Sequence, residues 1–293
     1  MTRRTVEPRH IVRGQRAVDG AGVRLQRVLG IQTVKDFDPF LMLDGFDSHN
    51  PADYIAGFPF HPHRGIETIT YLVSGEIEHS DSLGNKGTIN SLGCQWMTAG
   101  SGIIHQEMPK PSPHMLGLQL WVNLPQKDKM TDPAYGDITA DGVPVVEEPF
   151  GRVHVLSGKY KGTAGAFKGK FIDVTYFDVE LNPNEEFVFS GIPNDQTVVT
   201  YLLQGTLAVE GDFKTFESKG CAVRYTATNE EADAADEVVV KAGMQGARFV
   251  FLAGKPLREP VAWGGPIVMN TRAELQEAFD ELDRGTFVKH AAH

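Results

Sequence analysis

The segment Thr68-Ile69-Thr70-Tyr71-Leu72-Val73-Ser74-Gly75-Glu76-Ile77 returns later in the chain as Val198-Val199-Thr200-Tyr201-Leu202-Leu203-Gln204-Gly205-Thr206-Leu207, with four of ten positions identical. Gly93-Cys94 follows the first copy and Gly220-Cys221 the second, so the repeat covers a supersecondary unit rather than a chance run. Both copies are β-branched and aromatic, and glycines (31) and prolines (17) punctuate similar short runs throughout, a pattern of many strands joined by turns. Ile66–Val73, Gly117–Val122, Phe171–Glu180, Val198–Leu203 and Ala247–Leu252 read as strands, several too apolar on both faces to lie at a surface. The expectation is an all-β protein built from two barrels in tandem, as the length of 293 residues allows.

Leu124 to Pro149 is polar and rich in turn residues, which divides the chain into a first barrel over 1–135, a linker over 136–149 and a second barrel over 150–293. The last segment ends in a short helix. Thr271 and Glu274 form a capping box, Leu275, Ala278, Phe279 and Leu282 an apolar stripe for core packing, and Gly285 a stop. Glu230 to Glu237 reads as a solvated acidic loop before a Val238–Val240 strand.

The formal charge of −10 would repel a phosphate backbone, so direct nucleic-acid binding is not expected. No apolar run approaches the roughly 20 residues of a membrane-spanning helix. Met1-Thr2-Arg3-Arg4 is followed by polar sequence where a signal peptide is apolar, and a cytoplasmic location is the expectation. Cys94 and Cys221 are read as small buried residues; there is no disulfide framework and no C-x-x-C. Walker and dinucleotide-binding loops are absent.

His61-Pro62-His63 places two imidazoles on one face of an extended segment, with Cα atoms about 6.6 Å apart. His105-Gln106-Glu107 repeats that spacing after a glycine-rich turn, and the two pairs are expected to face each other across a barrel. Three imidazoles and a carboxylate are costly to bury together unless a divalent cation satisfies them, so His61, His63, His105 and Glu107 are the expected ligands of one metal ion. Glu67 competes for the carboxylate place. On an unbroken strand it lies about 13 Å beyond His63, although a bend at Gly65 would bring it closer. No histidine occurs between His154 and His290, so the second copy cannot repeat the site. His10, His49, His79, His114, His154, His290 and His293 are assigned no role.

The run Phe60-His61-Pro62-His63-Arg64-Gly65-Ile66-Glu67-Thr68, together with Gln95-Trp96-Met97-Thr98-Ala99-Gly100-Ser101-Gly102-Ile103-Ile104-His105-Gln106-Glu107-Met108-Pro109, closely resembles the pirin family of the cupin superfamily. Asp38 to Asp44, Gly117 to Leu124 and Gly265 to Thr271 extend the likeness over nearly the whole chain, more loosely in the second barrel. The resemblance implies two cupin (jelly-roll) barrels and a mononuclear metal in the N-terminal one, with His61, His63, His105 and Glu107 at the ligand positions. Iron(II) is the implied ion, with Mn, Ni, Co, Cu or Zn as alternatives.

Four such ligands leave about two positions open on an octahedral ion, room for a substrate oxygen and either dioxygen or water. The resemblance implies quercetin 2,3-dioxygenase chemistry on a small aromatic enol, with Glu107 as ligand and base. Two alternatives stand beside it: a metal-dependent regulatory protein that binds transcription factors or metabolic enzymes, and a cupin isomerase or hydrolase using the metal as a Lewis acid. Phe46, Phe58 and Phe60 read either as an apolar wall for a planar substrate or as ordinary core. Arg64 either steers an anionic substrate or pairs with an acidic neighbour.

Overall fold

The computed structural model describes residues 2–228 and 235–290, and more than half of these are in β-strands, with two α-helices and three short 3-10 turns among them. All five expected strands are present. The first two extend slightly, to Ile66–Ser74 and Met115–Asn123. The others are Val174–Leu181, Thr197–Ala208 and Ala235–Gly254. Gly75 and Gly205, the glycines shared by the two repeats, both take a positive φ (117° and 76°), which is why that position is glycine in each copy.

The chain divides into two compact units that are not contiguous in sequence. One comprises Arg16–Gln32, Phe40–Asp141 and the chain from Leu257 onward; the other comprises the segment up to Gln15, Thr33–Pro39 and Gly142–Pro256. A simple division into 1–135 and 150–293 therefore misplaces both ends of the chain. The N-terminal strand Thr5–Arg13 pairs antiparallel with Cys221–Thr226, inside the second unit. The C-terminal segment belongs instead with the first barrel. Val268 N donates to Arg64 O (3.1 Å), and Lys129 Nζ, fully buried, donates to Gly65 O (2.7 Å), Asn123 Oδ1 (2.6 Å) and Val268 O (3.0 Å). An ammonium is buried only where such acceptors meet it.

In the first unit a seven-stranded sheet runs in the order 134–138, 94–98, 66–74, 115–123, 40–48, 23–29, 15–19. A four-stranded sheet runs Phe58–His63, Ile103–Pro109, Glu76–Asp81, Lys86–Asn90. All nine residues of Met115–Asn123 are buried, as the double-sided apolar pattern requires, whereas Ile103–Pro109 alternates strictly, burying Ile103, His105, Glu107 and Pro109. The helix Arg272–Asp283 begins with both capping-box bonds between Thr271 and Glu274. Its Ala278, Leu275, Phe279 and Leu282 pack on Ile267, Met269, Phe287 and Ile104, so the helix covers the outer face of a strand whose inner face carries His105.

The second unit is built on a ten-stranded sheet, with a two-stranded ribbon of Lys159–Tyr160 and Thr163–Ala164 beside it, and its apolar interior includes Tyr160, Phe177, Phe187, Phe249 and Phe251. Asp236 and Glu237 are not in a loop: the strand starts at Ala235, Thr2–Arg3 pairs with it in parallel, and Asp236 is fully buried 3.8 Å from Arg4 Nε. The rest of the acidic stretch falls within 229–234, outside the described residues, as does His293. No described helix is long and apolar enough to cross a membrane.

Candidate metal centre

His61, His63 and His105 come together in the four-stranded sheet, with ligand nitrogens all within 4.8 Å of one another. They do not face each other across the barrel, as the spacing alone suggested. Phe58–His63 and Ile103–Pro109 are adjacent antiparallel strands, with His105 directly opposite His61 and Ile103 opposite His63. Directly opposed residues on one face have Cβ atoms about 5 Å apart, so pairing in register gathers the rings. Their centroids lie 4.4 to 5.0 Å apart.

The hydrogen bonds fix which nitrogens point inward. His61 Nδ1 lies 2.9 Å from Pro59 O and His63 Nδ1 3.0 Å from Pro266 O. A carbonyl only accepts, so each Nδ1 carries the proton and each Nε2 a lone pair when the ring is neutral. Burial pushes His63 down to about 3, helped by the neighbouring His61, and pushes His105 well below its ordinary value. Yet the Nε2 atoms of His61 and His63 sit 3.0 Å apart, two acceptors pointed at one another. His105 Nε2 is buried without a hydrogen-bond partner among the described residues. This set of lone pairs is unfavourable by itself and is what a cation would satisfy. The residues fit a metal ion.

The two candidate carboxylates have different surroundings. Glu67, fully buried, receives hydrogen bonds from Trp96 Nε1 and Thr98 Oγ1 (both 2.8 Å), one on each oxygen, and burial raises its pKa. Glu107 is not among the described side chains that converge within 4.8 Å, which are the three histidines alone; it lines the same cavity, two residues from His105, and accepts from Thr70 Oγ1 (2.8 Å) on one oxygen. Thr70 also touches the Gln119 amide. A hydroxyl has one proton, so when Thr70 donates to Glu107 the amide turns its NH₂ toward Thr70.

A cavity of about 820 Å³ opens over His61, His63 and Glu107, walled by Met42, Phe46, Phe58, Trp121 and Trp263. Trp121 packs edge-on to the His63 ring at 4.9 Å. Phe46 and Phe58 therefore reach the site, but Phe60 does not: it is 58% exposed. The reason is a bulge. His105 pairs with His61 and Glu107 with Phe58, so Pro59 and Phe60 oppose Gln106 alone. The extra residue reverses the alternation, turning Phe58 to the histidine face and Phe60 outward.

Of the two readings of Arg64, the structure shows the pairing with an acidic neighbour. Arg64 is buried, donates to Ser101 O (2.7 Å), Glu281 Oε2 (2.6 Å) and Phe287 O (3.0 Å), and lies 4.2 Å over the Phe287 ring. The arginine that does line the cavity is Arg27, held by Asp44 (2.7 and 3.0 Å) and Asp19 (2.7 Å), so its charge is already met. Sequence reasoning missed Trp121, Trp263 and Arg27, and dismissed His79, which stands 3.1 Å behind His105. Trp121 shares strand parity with Gln119, a local signal; Trp263 arrives from a distant segment and has none.

Two sequence profiles match the chain: pirin over residues 22–122 and the pirin C-terminal cupin domain over 176–288. A Pseudomonas aeruginosa protein provisionally named quercetin 2,3-dioxygenase is 44% identical over 279 residues, 93% of this chain and 94% of its own length. Among solved structures, quercetin 2,3-dioxygenase from Acinetobacter baumannii superposes with a TM-score of 0.84 at 29% identity, covering 98% of this chain and 99% of that one. The bacterial pirin YhhW of Escherichia coli, solved with nickel(II), shares the fold at a TM-score of 0.59 and 22% identity, over 84% of this chain and 99% of that one. With both profiles matched in order and two cupin barrels in the structure, the chain belongs to the pirin family.

Proposed function

We propose that this protein is a mononuclear metal dioxygenase of the quercetin 2,3-dioxygenase type, with His61, His63, His105 and Glu107 as ligands and a flavonol or related aromatic enol as substrate. The observation that carries the reading is the pair of inward Nε2 lone pairs, 3.0 Å apart, at the base of a cavity walled by aromatic side chains. The names of the Acinetobacter and Pseudomonas relatives support the reaction, and the three converging imidazoles, with a relative of the same fold solved in complex with nickel(II), support a bound metal. Iron(II) is the proposed ion.

A divalent redox-active ion supplies a Lewis acid for the enol oxygen and an electron path between substrate and dioxygen. The protein does the rest. Phe46, Phe58, Trp121 and Trp263 hold a planar ring system and exclude water from it. Glu107, with one oxygen occupied by Thr70, would take the proton of the substrate hydroxyl on its other oxygen when that oxygen is released from the ion. Arg27 is neutralised by two carboxylates, which suits a neutral polyphenol better than an anionic substrate.

Protein purified without oxygen and loaded with iron is expected to bleach flavonol absorbance on exposure to oxygen, releasing one carbon monoxide per flavonol. A fully loaded protein that leaves the flavonol intact would overturn the dioxygenase reading. The two carboxylates are separable as well. Glu107→Gln is expected to weaken metal binding by more than about 100-fold, since a ligand counts for more than an outer-shell partner. Glu67→Gln, which removes an acceptor for Trp96 and Thr98, is expected to retain one metal per folded chain. Isothermal titration with nickel(II) reads both.

A further inference from the structure

His61 and His63 donate their Nδ1 protons to backbone carbonyls, Pro59 O and Pro266 O, which no side-chain substitution removes. His105 is held differently. Its Nδ1 lies 3.1 Å from Nε2 of His79, a buried side chain on the adjacent strand Glu76–Asp81. For His105 to aim a lone pair inward from Nε2, its proton must sit on Nδ1 and be accepted by His79 Nε2; the reverse donation would put a hydrogen where the ion belongs.

Accepting that proton forces the His79 proton onto its own Nδ1, an atom that is buried with no hydrogen-bond partner among the described residues. An unpaired buried N–H is unfavourable, and here it accompanies an acceptor behind His105. The His79 ring is also braced. Tyr135 stacks on it at 4.9 Å with 15° between planes, and Tyr135 is in turn bonded to Asp137 and receives a hydrogen bond from Gln95. His79 stands opposite Glu107 in the strand register, so one strand backs both the third imidazole and the carboxylate.

We propose that His79 is a positioning residue of the metal centre: it fixes the tautomer and ring plane of His105 and thereby sets the affinity and ligand field of the ion. This rests on the ligand set proposed above. Outer-shell partners of metal-bound histidines are worth about 10–100-fold in affinity. His79→Leu, which keeps the bulk and removes the acceptor, is therefore expected to weaken cobalt(II) binding by about 10–100-fold and to shift its visible d–d bands. His79→Gln, whose amide oxygen can accept from His105, is expected to restore both to near wild type.

A second measurement needs no variant. In the zinc(II)-loaded wild-type protein, long-range ¹H–¹⁵N correlation is expected to place a slowly exchanging proton on His105 Nδ1, with a nitrogen–nitrogen coupling to His79 Nε2. A proton on His79 Nε2 instead, or a His79→Leu protein that binds cobalt(II) with wild-type affinity and spectrum, would overturn the proposal for His79 alone. Wild-type protein that binds neither cobalt nor zinc, or His61→Ala that binds them undiminished, would overturn the ligand set and the role of His79 with it.

Discussion

Replacing His61 with alanine is expected to strip the protein of its metal, from about one ion per chain to less than a tenth, while both barrels stay folded. Open centres of this kind depend on every ligand for affinity, but seldom hold the fold together. His61 is only half-buried and sits at the cavity, so its removal leaves little unfilled volume. The metal-free comparison is more telling. Without an ion, wild-type protein keeps two Nε2 acceptors 3.0 Å apart, and the alanine relieves that conflict. Metal-free His61→Ala is accordingly expected to melt no lower than metal-free wild type, whereas metal raises the melting temperature of wild type only. Elemental analysis and calorimetry with and without chelator read the two effects separately.

Arg64→Met is expected to do the opposite, costing about 3–5 kcal/mol of stability with no change in metal content of the folded fraction. The guanidinium is 2% exposed and ties Ser101 and Phe287 carbonyls to Glu281 on the C-terminal helix. Methionine fills the volume but leaves two buried carbonyl oxygens and a partly buried carboxylate with fewer donors. Glu281 keeps Lys289 at 2.6 Å, which places the loss at the lower end of the range. Chemical denaturation followed by tryptophan fluorescence measures it. An Arg64→Met protein of wild-type stability with weakened binding of an anionic aromatic would restore the substrate-steering role that the structure argues against.

The contrast shows what a sequence pattern carries. The period-two spacing of His61, His63, His105 and Glu107 puts each pair on one strand face, and that face is the buried one. Spacing does not say which strands are neighbours, so the pairs read as lying across the barrel when they are side by side. It also cannot reveal a bulge. Phe58 and Phe60 look equivalent by parity, yet one additional residue opposite Gln106 sends only Phe58 to the site. His79 was passed over because it stands alone in sequence; its partner is 26 residues away and reached only through strand pairing.

The exchanged ends have a similar origin. The capping box of Thr271 and Glu274 and the stripe of Leu275, Ala278, Phe279 and Leu282 specify a helix with one apolar face. Which barrel receives that face is decided by Lys129 and Arg64, whose polar contacts with Val268, Glu281 and Phe287 bridge more than a hundred residues. Internal repetition was legible to the level of two barrels. The lack of a second histidine pair was legible too, and the interior of the second unit is packed with aromatic side chains such as Phe177, Phe187 and Phe251.

X-ray absorption at the iron edge of anaerobically loaded protein tests the central claim most directly. A shell of three imidazoles with oxygen ligands completing it, falling to two imidazoles for whatever iron His61→Ala retains, is the predicted result. A first shell without imidazole scattering, or one whose imidazole count is unchanged in His61→Ala, would contradict it.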